Sequence, residues 1–199
     1  ISLDGKTSHA AHPENAHSPV LAMNKLVEEL IAIPSYYTPF SKSALITIIH
    51  LNLGEQAFGT TPGSGQVMAT LRSHRKEEMA IMTRKAKEIT KHLASYYHLS
   101  HEIQWVEPFP PSSNDPDSID LLKTIASELS LETIQPDSPF PWSEDFGYFL
   151  NGTNGALFGL GAGTDHPQLH NPDYDFPDDL IQTGIDIFSR SIISHLRRK

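Results

Sequence analysis

The 199-residue sequence contains no cysteine, which excludes disulfides and thiolate metal sites together. Any transition metal must then use His, Asp or Glu. Basic charge is scarce as well: 15 Lys and Arg stand against 24 Asp and Glu, a net charge of -9. An acidic chain without basic clusters cannot neutralise phosphates in number, so nucleic acid is not an expected partner. The one basic run, Arg197-Arg198-Lys199, closes the last predicted helix, where cations suit the helix dipole. No apolar run approaches the roughly 20 residues of a membrane span, and residues 1–20 are too polar for a signal peptide. A membrane partner is therefore not expected; the compartment is not fixed by the sequence, with a cytoplasmic setting favoured. Also missing are a Gly-x-Ser-x-Gly nucleophile elbow, a Gly-x-x-x-x-Gly-Lys phosphate loop and a dinucleotide fingerprint. Ile1-Ser2-Leu3-Asp4 reads as part of a strand with neither leader nor starting Met, and the expectation is that more protein precedes it.

What remains is the composition of an ordinary globular chain, with 38% hydrophobic and 20% charged residues and a mean hydropathy of -0.32. Ser18-Pro19 is a good cap and first-turn pair for a helix carrying Val20, Met23, Val27, Leu30 and Ile31 at helical spacing, with Lys25, Glu28 and Glu29 opposite and Pro34 as its stop. A second helix is predicted from about Lys76 to Tyr97, with an apolar stripe of Met79, Met82, Ala86, Ile89, Leu93 and Tyr96. A third starts at the cap Asp115-Pro116 and buries Ile119, Leu122, Ala126 and Leu129, and the last follows Pro177 with Ile181, Ile185, Phe188 and Ile192. Strands are expected over 44–53, over 66–73 with Val67, Ala69 and Leu71 facing away from Met68, Thr70 and Arg72, over 102–107 and over 155–160. The first half thus reads β, α, β, β, α, β around one open sheet with helices on one side. Residues 109–116 form the natural linker, giving an α/β chain of two parts, 1–109 and 110–199. The second part is too small for a sheet of its own and reads as the tail of a larger α/β domain.

Eleven histidines are spread along the chain. His50, His74, His92, His98, His101 and His195 lie on or beside predicted elements and have structural readings. His9, in Gly5-Lys6-Thr7-Ser8-His9-Ala10-Ala11-His12-Pro13, sits among small residues that allow close approach of a neighbour or ligand; the plainer reading is a strand-end histidine bonded to backbone. His166 and His170 follow a predicted strand in the Gly-rich stretch Gly159–Tyr174, the place where α/β enzymes bind ligands. Pro167 argues against a regular helix there, so both are not expected on one metal. Asp165, Asp173 and Asp175 fit either outer-sphere support or turn formation. In Trp142-Ser143-Glu144-Asp145-Phe146, helix capping alone accounts for Ser143, Glu144 and Asp145.

In this order, Ser8-His9-Ala10-Ala11-His12-Pro13, Thr70-Leu71-Arg72-Ser73, Ser143-Glu144-Asp145-Phe146 and Leu169-His170-Asn171-Pro172-Asp173-Tyr174-Asp175 resemble motifs of the peptidase family M20, a group of zinc amidohydrolases, aminoacylases and carboxypeptidases. The resemblance covers nearly the whole chain. It implies a dimerisation (lid) domain of a four-stranded sheet with two helices on one side, followed by the C-terminal portion of a three-layer zinc-peptidase-like catalytic domain. It further implies homodimerisation through the lid, a small-molecule or peptide substrate, and two zinc ions in the complete enzyme with little or none held by this chain. By resemblance His170 is a metal ligand, His9 crosses the dimer to stabilise an oxyanion in the partner's active site, and Arg72 binds the substrate carboxylate. The reaction so implied is attack of metal-activated water on an amide carbonyl of an N-acyl amino acid or small peptide. Two departures stand out. Phe58-Gly59-Thr60-Thr61-Pro62-Gly63 occupies the place of the family's Asn-containing turn, and the N-terminal His-x-Asp and Glu-Glu segments expected before residue 1 are outside the sequence. A non-catalytic dimerisation or small-molecule-binding module is the alternative reading.

Overall fold

A computed structural model describes residues 1–39 and 44–197. The chain divides into two compact units, Ile1–Pro111 with Pro141–Ser143, and Ser112–Phe140 with Glu144–Lys199.

The first unit has the expected order: β1 (Ser2–Asp4), α1 (Val20–Tyr37), β2 (Ala44–Leu53), β3 (Ser64–Ser73), α2 (Lys76–Tyr96) and β4 (Ser100–Glu102). The strands form one antiparallel sheet in the order β2-β3-β1-β4. Period-two alternation sorts β3 as expected: Val67 is buried, Ala69 and Leu71 pack against the core, and Met68, Thr70 and Arg72 lie on the open face. On β2 the core-facing residues are Ala44, Ile46 and Ile48. A bulge between Ile48 and His50 inserts Ile49, after which Leu51 and Leu53 take the side shared with Val67 and Gly65.

Both helices cover that side. From α1 come Ala22, Met23, Leu26, Leu30 and Ile33, closing over Leu3, Ile46 and Val67, and from α2 Met82, Ala86, Leu93 and Ala94. Each fully buried Leu or Ile contributes about 1.5–3 kcal/mol. Gly65 permits the close seating of α1, because a Cβ there would lie 2.1 Å from Met23 Sδ. Four expectations for these helices change. Ile31 is 52% exposed, so the buried stripe is centred on Leu26 and Ile33. Pro34 lies inside α1, whose last turn continues to Tyr37; Thr38 then caps Pro34 O through its Oγ1 at 2.7 Å. A proline this near the end forfeits only one helical donor. Ser18 makes no capping bond, and Pro19 occupies the cap position. On α2, Tyr96 turns outward while Glu78 and Thr90 are buried: Ser73 Oγ donates to Glu78 Oε2 at 2.8 Å, and Thr90 Oγ1 donates to Ala86 O at 2.7 Å.

In the second unit, α3 (Pro116–Glu128) is capped as expected, with Asp115 Oδ2 accepting from Ser118 N at 2.9 Å. It packs on α4 (Leu180–Arg197) through buried Ile125, Ala126 and Ile187, while Ile119, Leu122 and Leu129 are half-buried. Ile181, Ile185, Phe188 and Ile192, expected as the covered face of α4, are each at least 50% exposed. One helix neighbour covers one face. Arg198 and Lys199 of the basic run lie outside the described residues.

Two expected strands are shorter or absent. Residues 103–107 are irregular because β4 pairs only with the three residues of β1. No strand forms over 155–160, since extended backbone needs a partner for its amides. That partner is supplied in part by the linker side: Asn114 accepts from Leu157 N at 2.8 Å and donates to Leu157 O at 2.9 Å, and Asp115 N donates to Gly155 O at 2.9 Å. Among the described residues no helix is long and apolar enough to cross a membrane.

Candidate functional site

The segment from Gly5 to His17 and the β2–β3 connection form one locked structure. Lys6 and His17 exchange backbone bonds at 3.0 Å in each direction. His9 and Thr60 face each other across a second antiparallel bridge, flanked by Ala10 N to Gly59 O and Thr61 N to Ser8 O, both 2.9 Å. The Ser8 amide adds a bond to Thr61 Oγ1 at 2.9 Å, and Ser8 Oγ donates to His12 O. Glycine is required for this closeness. A Cβ on Gly5 would lie 2.0 Å from His17 O, and one on Gly63 would lie 2.6 Å from Thr7 Cγ2.

His9 is exposed on this platform. Its Nδ1 accepts from the Ala11 amide at 3.1 Å, and its ring centroid lies 6.1 Å from that of His12. The backbone bond expected from the plainer reading is therefore present, and it leaves Nε2 with no partner among the described residues. The stretch Gly59–Thr61, which departs from the family's usual turn, is what holds His9 in place.

Arg72 sits on the open face at the other end of β3, opposite Leu45. Its Nη1 donates to Pro141 O at 3.1 Å and to Ser143 Oγ at 3.2 Å. That corrects the capping role expected of Ser143. The short 3-10 helix Asp145–Tyr148 is preceded by Glu144 and has no side-chain cap bond. The sequence signal for Ser143 is the motif itself, whose hydroxyl suits a cap and a guanidinium equally. With Nη1 held, Nε and Nη2 have no partner among the described residues.

The ten residues of β3 span roughly 30 Å at about 3.4 Å per residue. His9 is tied to the connection before the first of them, and Arg72 is the ninth. The two side chains thus stand at opposite ends of one strand.

His170 belongs to the second unit. It is exposed in a pair of tight turns, Asn171 N to Gln168 O and Tyr174 N to Asn171 O, each 3.0 Å. Its φ of 73° lies in the left-handed region that non-glycine residues rarely adopt. His166 forms no helix with it; its Nδ1 is 2.9 Å from Pro167 O, and its ring meets Tyr174 edge-on at 5.4 Å. Among the described residues no three His, Asp or Glu side chains are grouped so as to hold a metal ion. The resemblance makes His170 the expected metal ligand, and the described residues do not fit a metal centre by themselves.

The chain is 25% identical over 181 residues to N-acetyl-L-cysteine deacetylase of Bacillus subtilis, covering 91% of this chain and 43% of that protein. It is 26% identical over 193 residues to N-acetyldiaminopimelate deacetylase of Bacillus velezensis, covering 96% and 51%. The crystal structure of a tripeptidase from Staphylococcus aureus shares the fold, with a TM-score of 0.74 and 16% identity over 100% of this chain and 50% of that one. The chain spans about half the length of the curated relatives it matches. The profile of peptidase family M20/M25/M40 matches residues 8–194, and the chain belongs to that family of hydrolases.

Proposed function

We propose that the chain supplies the lid and the C-terminal catalytic portion of a metal-dependent hydrolase acting on the amide bond of an N-acyl amino acid or small peptide. The chain by itself is inactive in this reading. It offers a single family-matched metal ligand, His170, where an open catalytic zinc site uses three protein ligands.

The observation that carries the reading is the separation of His9 from Arg72. A substrate of amino-acid size cannot bridge two ends of a strand roughly 30 Å long. The two residues therefore serve different sites within one chain, and a two-fold dimer is the simplest arrangement that brings His9 of one copy to Arg72 of the other. There His9 Nε2 would donate to the oxygen that gains charge as the carbonyl becomes tetrahedral. Arg72 would present its Nε–Nη2 edge to the free carboxylate of the substrate, as a fork of two parallel bonds. The deacetylase names of the relatives support an acyl group as one side of the scissile bond.

The dimer has a candidate surface. β2 is a ten-residue edge strand with Leu45, Ile49, Leu51 and Leu53 exposed, and α1 exposes Leu21 and Ile31. A long apolar edge is a template for pairing with another chain. The direct test is amine release by the complete protein from a panel of N-acetyl amino acids and dipeptides. Hydrolysis that is lost with a chelator and restored by divalent metal supports the reading, and no release from any member contradicts it.

A further inference from the structure

We propose that the Ala11 amide fixes His9 as its Nε2–H tautomer, so that the outward nitrogen of His9 is a hydrogen-bond donor and neither a base nor a metal ligand. The inference deepens the reading of His9 given above and rests on it for its catalytic meaning.

Neutral imidazole carries one N–H and one lone pair, and the bond made by one nitrogen sets the state of the other. A backbone amide can only donate. With Ala11 N 3.1 Å from Nδ1, the lone pair must be on Nδ1 and the proton on Nε2. The contact is built in. His12 N donates to His9 O at 2.8 Å, Ala10 N donates to Gly59 O at 2.9 Å, and Ser8 Oγ donates to His12 O, so the backbone on both sides of Ala11 is held.

His12 shows the opposite arrangement in the same loop. Its Nδ1 lies 3.2 Å from Glu14 Oε1, and a carboxylate only accepts, so Nδ1 carries a proton and the neutral ring keeps its lone pair on Nε2. Two exposed imidazoles with centroids 6.1 Å apart thus turn unlike edges outward. An oxyanion needs a donor, whereas proton abstraction or metal binding needs a lone pair. The loop selects the first for His9. Ala11 is a positioning residue that acts through its main chain.

The test is two-bond proton–nitrogen correlation NMR of the imidazoles in the 15N-labelled chain at about pH 8.5, two units above the ordinary histidine value, with His9 assigned by loss of its signals in His9→Gln. The expected result is a pyridine-like Nδ1 with a pyrrole-like Nε2 for His9, and the reverse for His12. In Ala11→Pro, which removes the amide hydrogen, His9 should relax to the tautomer mixture of free imidazole while His12 is unchanged. A wild-type His9 that already shows that mixture, or a pyrrole-like Nδ1, overturns the inference whether or not the proline variant folds. So does a tautomer indifferent to Ala11→Pro. The measurement is independent of turnover, so its failure is distinct from a failure of the oxyanion role, which the kinetics of His9 variants decide.

Discussion

Ser8 and Thr61 bind each other through three hydrogen bonds: the Ser8 amide donates to Thr61 Oγ1 and the Thr61 amide donates to the Ser8 carbonyl, each at 2.9 Å, and Thr61 Oγ1 donates to that same carbonyl at 3.3 Å. This reciprocal pair joins the His9 segment to the β2–β3 connection and sets the backbone from which His9 projects. Thr61→Val keeps the shape and the backbone bond while removing both the acceptor for Ser8 N and the hydroxyl bond to Ser8 O. The expected cost is about 1 kcal/mol, read as a lower urea midpoint, with faster amide exchange at Ser8 and unchanged exchange at Lys6 and His17. Exchange at Ser8 that does not change would show that the hydroxyl contributes nothing to holding the loop.

The exposed β2 edge gives a second expectation. The chain should run as a dimer in light scattering at tens of micromolar, and Leu51→Lys should make it a monomer without loss of helix signal. Leu51 is 52% exposed, so the substitution leaves the core intact, yet it sets a charge on the strand that would pair. A wild-type monomer well above micromolar concentration contradicts the lid-mediated dimer.

The order of elements in the first unit was legible because both periodicities are strong there: alternation in β3 and helical spacing in α2 predict which residues pack inward. The sequence misled where tertiary partners override local pattern. Tyr96 fits the α2 stripe by spacing but turns outward, and Glu78 is buried because Ser73 reaches its carboxylate. Residues 155–160 have strand-like composition and lack a strand to pair with, so Asn114 substitutes for one. At the candidate site, His9 and His170 stood out in small-residue and Gly-rich stretches, whereas Arg72 and the role of each residue came only through motif resemblance. Bonds that orient His9 and Arg72 involve main-chain atoms of Ala11 and Pro141, which carry no side-chain signature.

Metal content tests the division of ligands. After dialysis, elemental analysis of the 199-residue chain should find far less than one zinc per chain, because a catalytic zinc needs three protein ligands. Stoichiometric zinc abolished by His166→Ala and by His170→Ala would contradict the present reading of the Gly159–Tyr174 stretch.

Arg72→Lys in the complete protein should raise KM for substrates with a free carboxylate by about 10–100-fold and lower kcat much less, because a point charge replaces a fork that grips substrate and transition state alike. Substrates whose carboxylate is amidated should be nearly indifferent to the change. An equal loss for both substrate types would remove Arg72 from carboxylate recognition.

His9→Ala should lower kcat by about 10²–10³ while leaving metal content intact, and His170→Ala should lose metal and activity together. Cross-dimer donation of His9 is decided by mixing these two inactive variants of the complete protein, differently tagged, under conditions of subunit exchange. Each heterodimer then contains one site with an intact His170 and an intact His9 from the partner. Doubly tagged heterodimers should regain activity well above either parent. Heterodimers that form and stay as inactive as their parents would show that His9 does not act across the dimer.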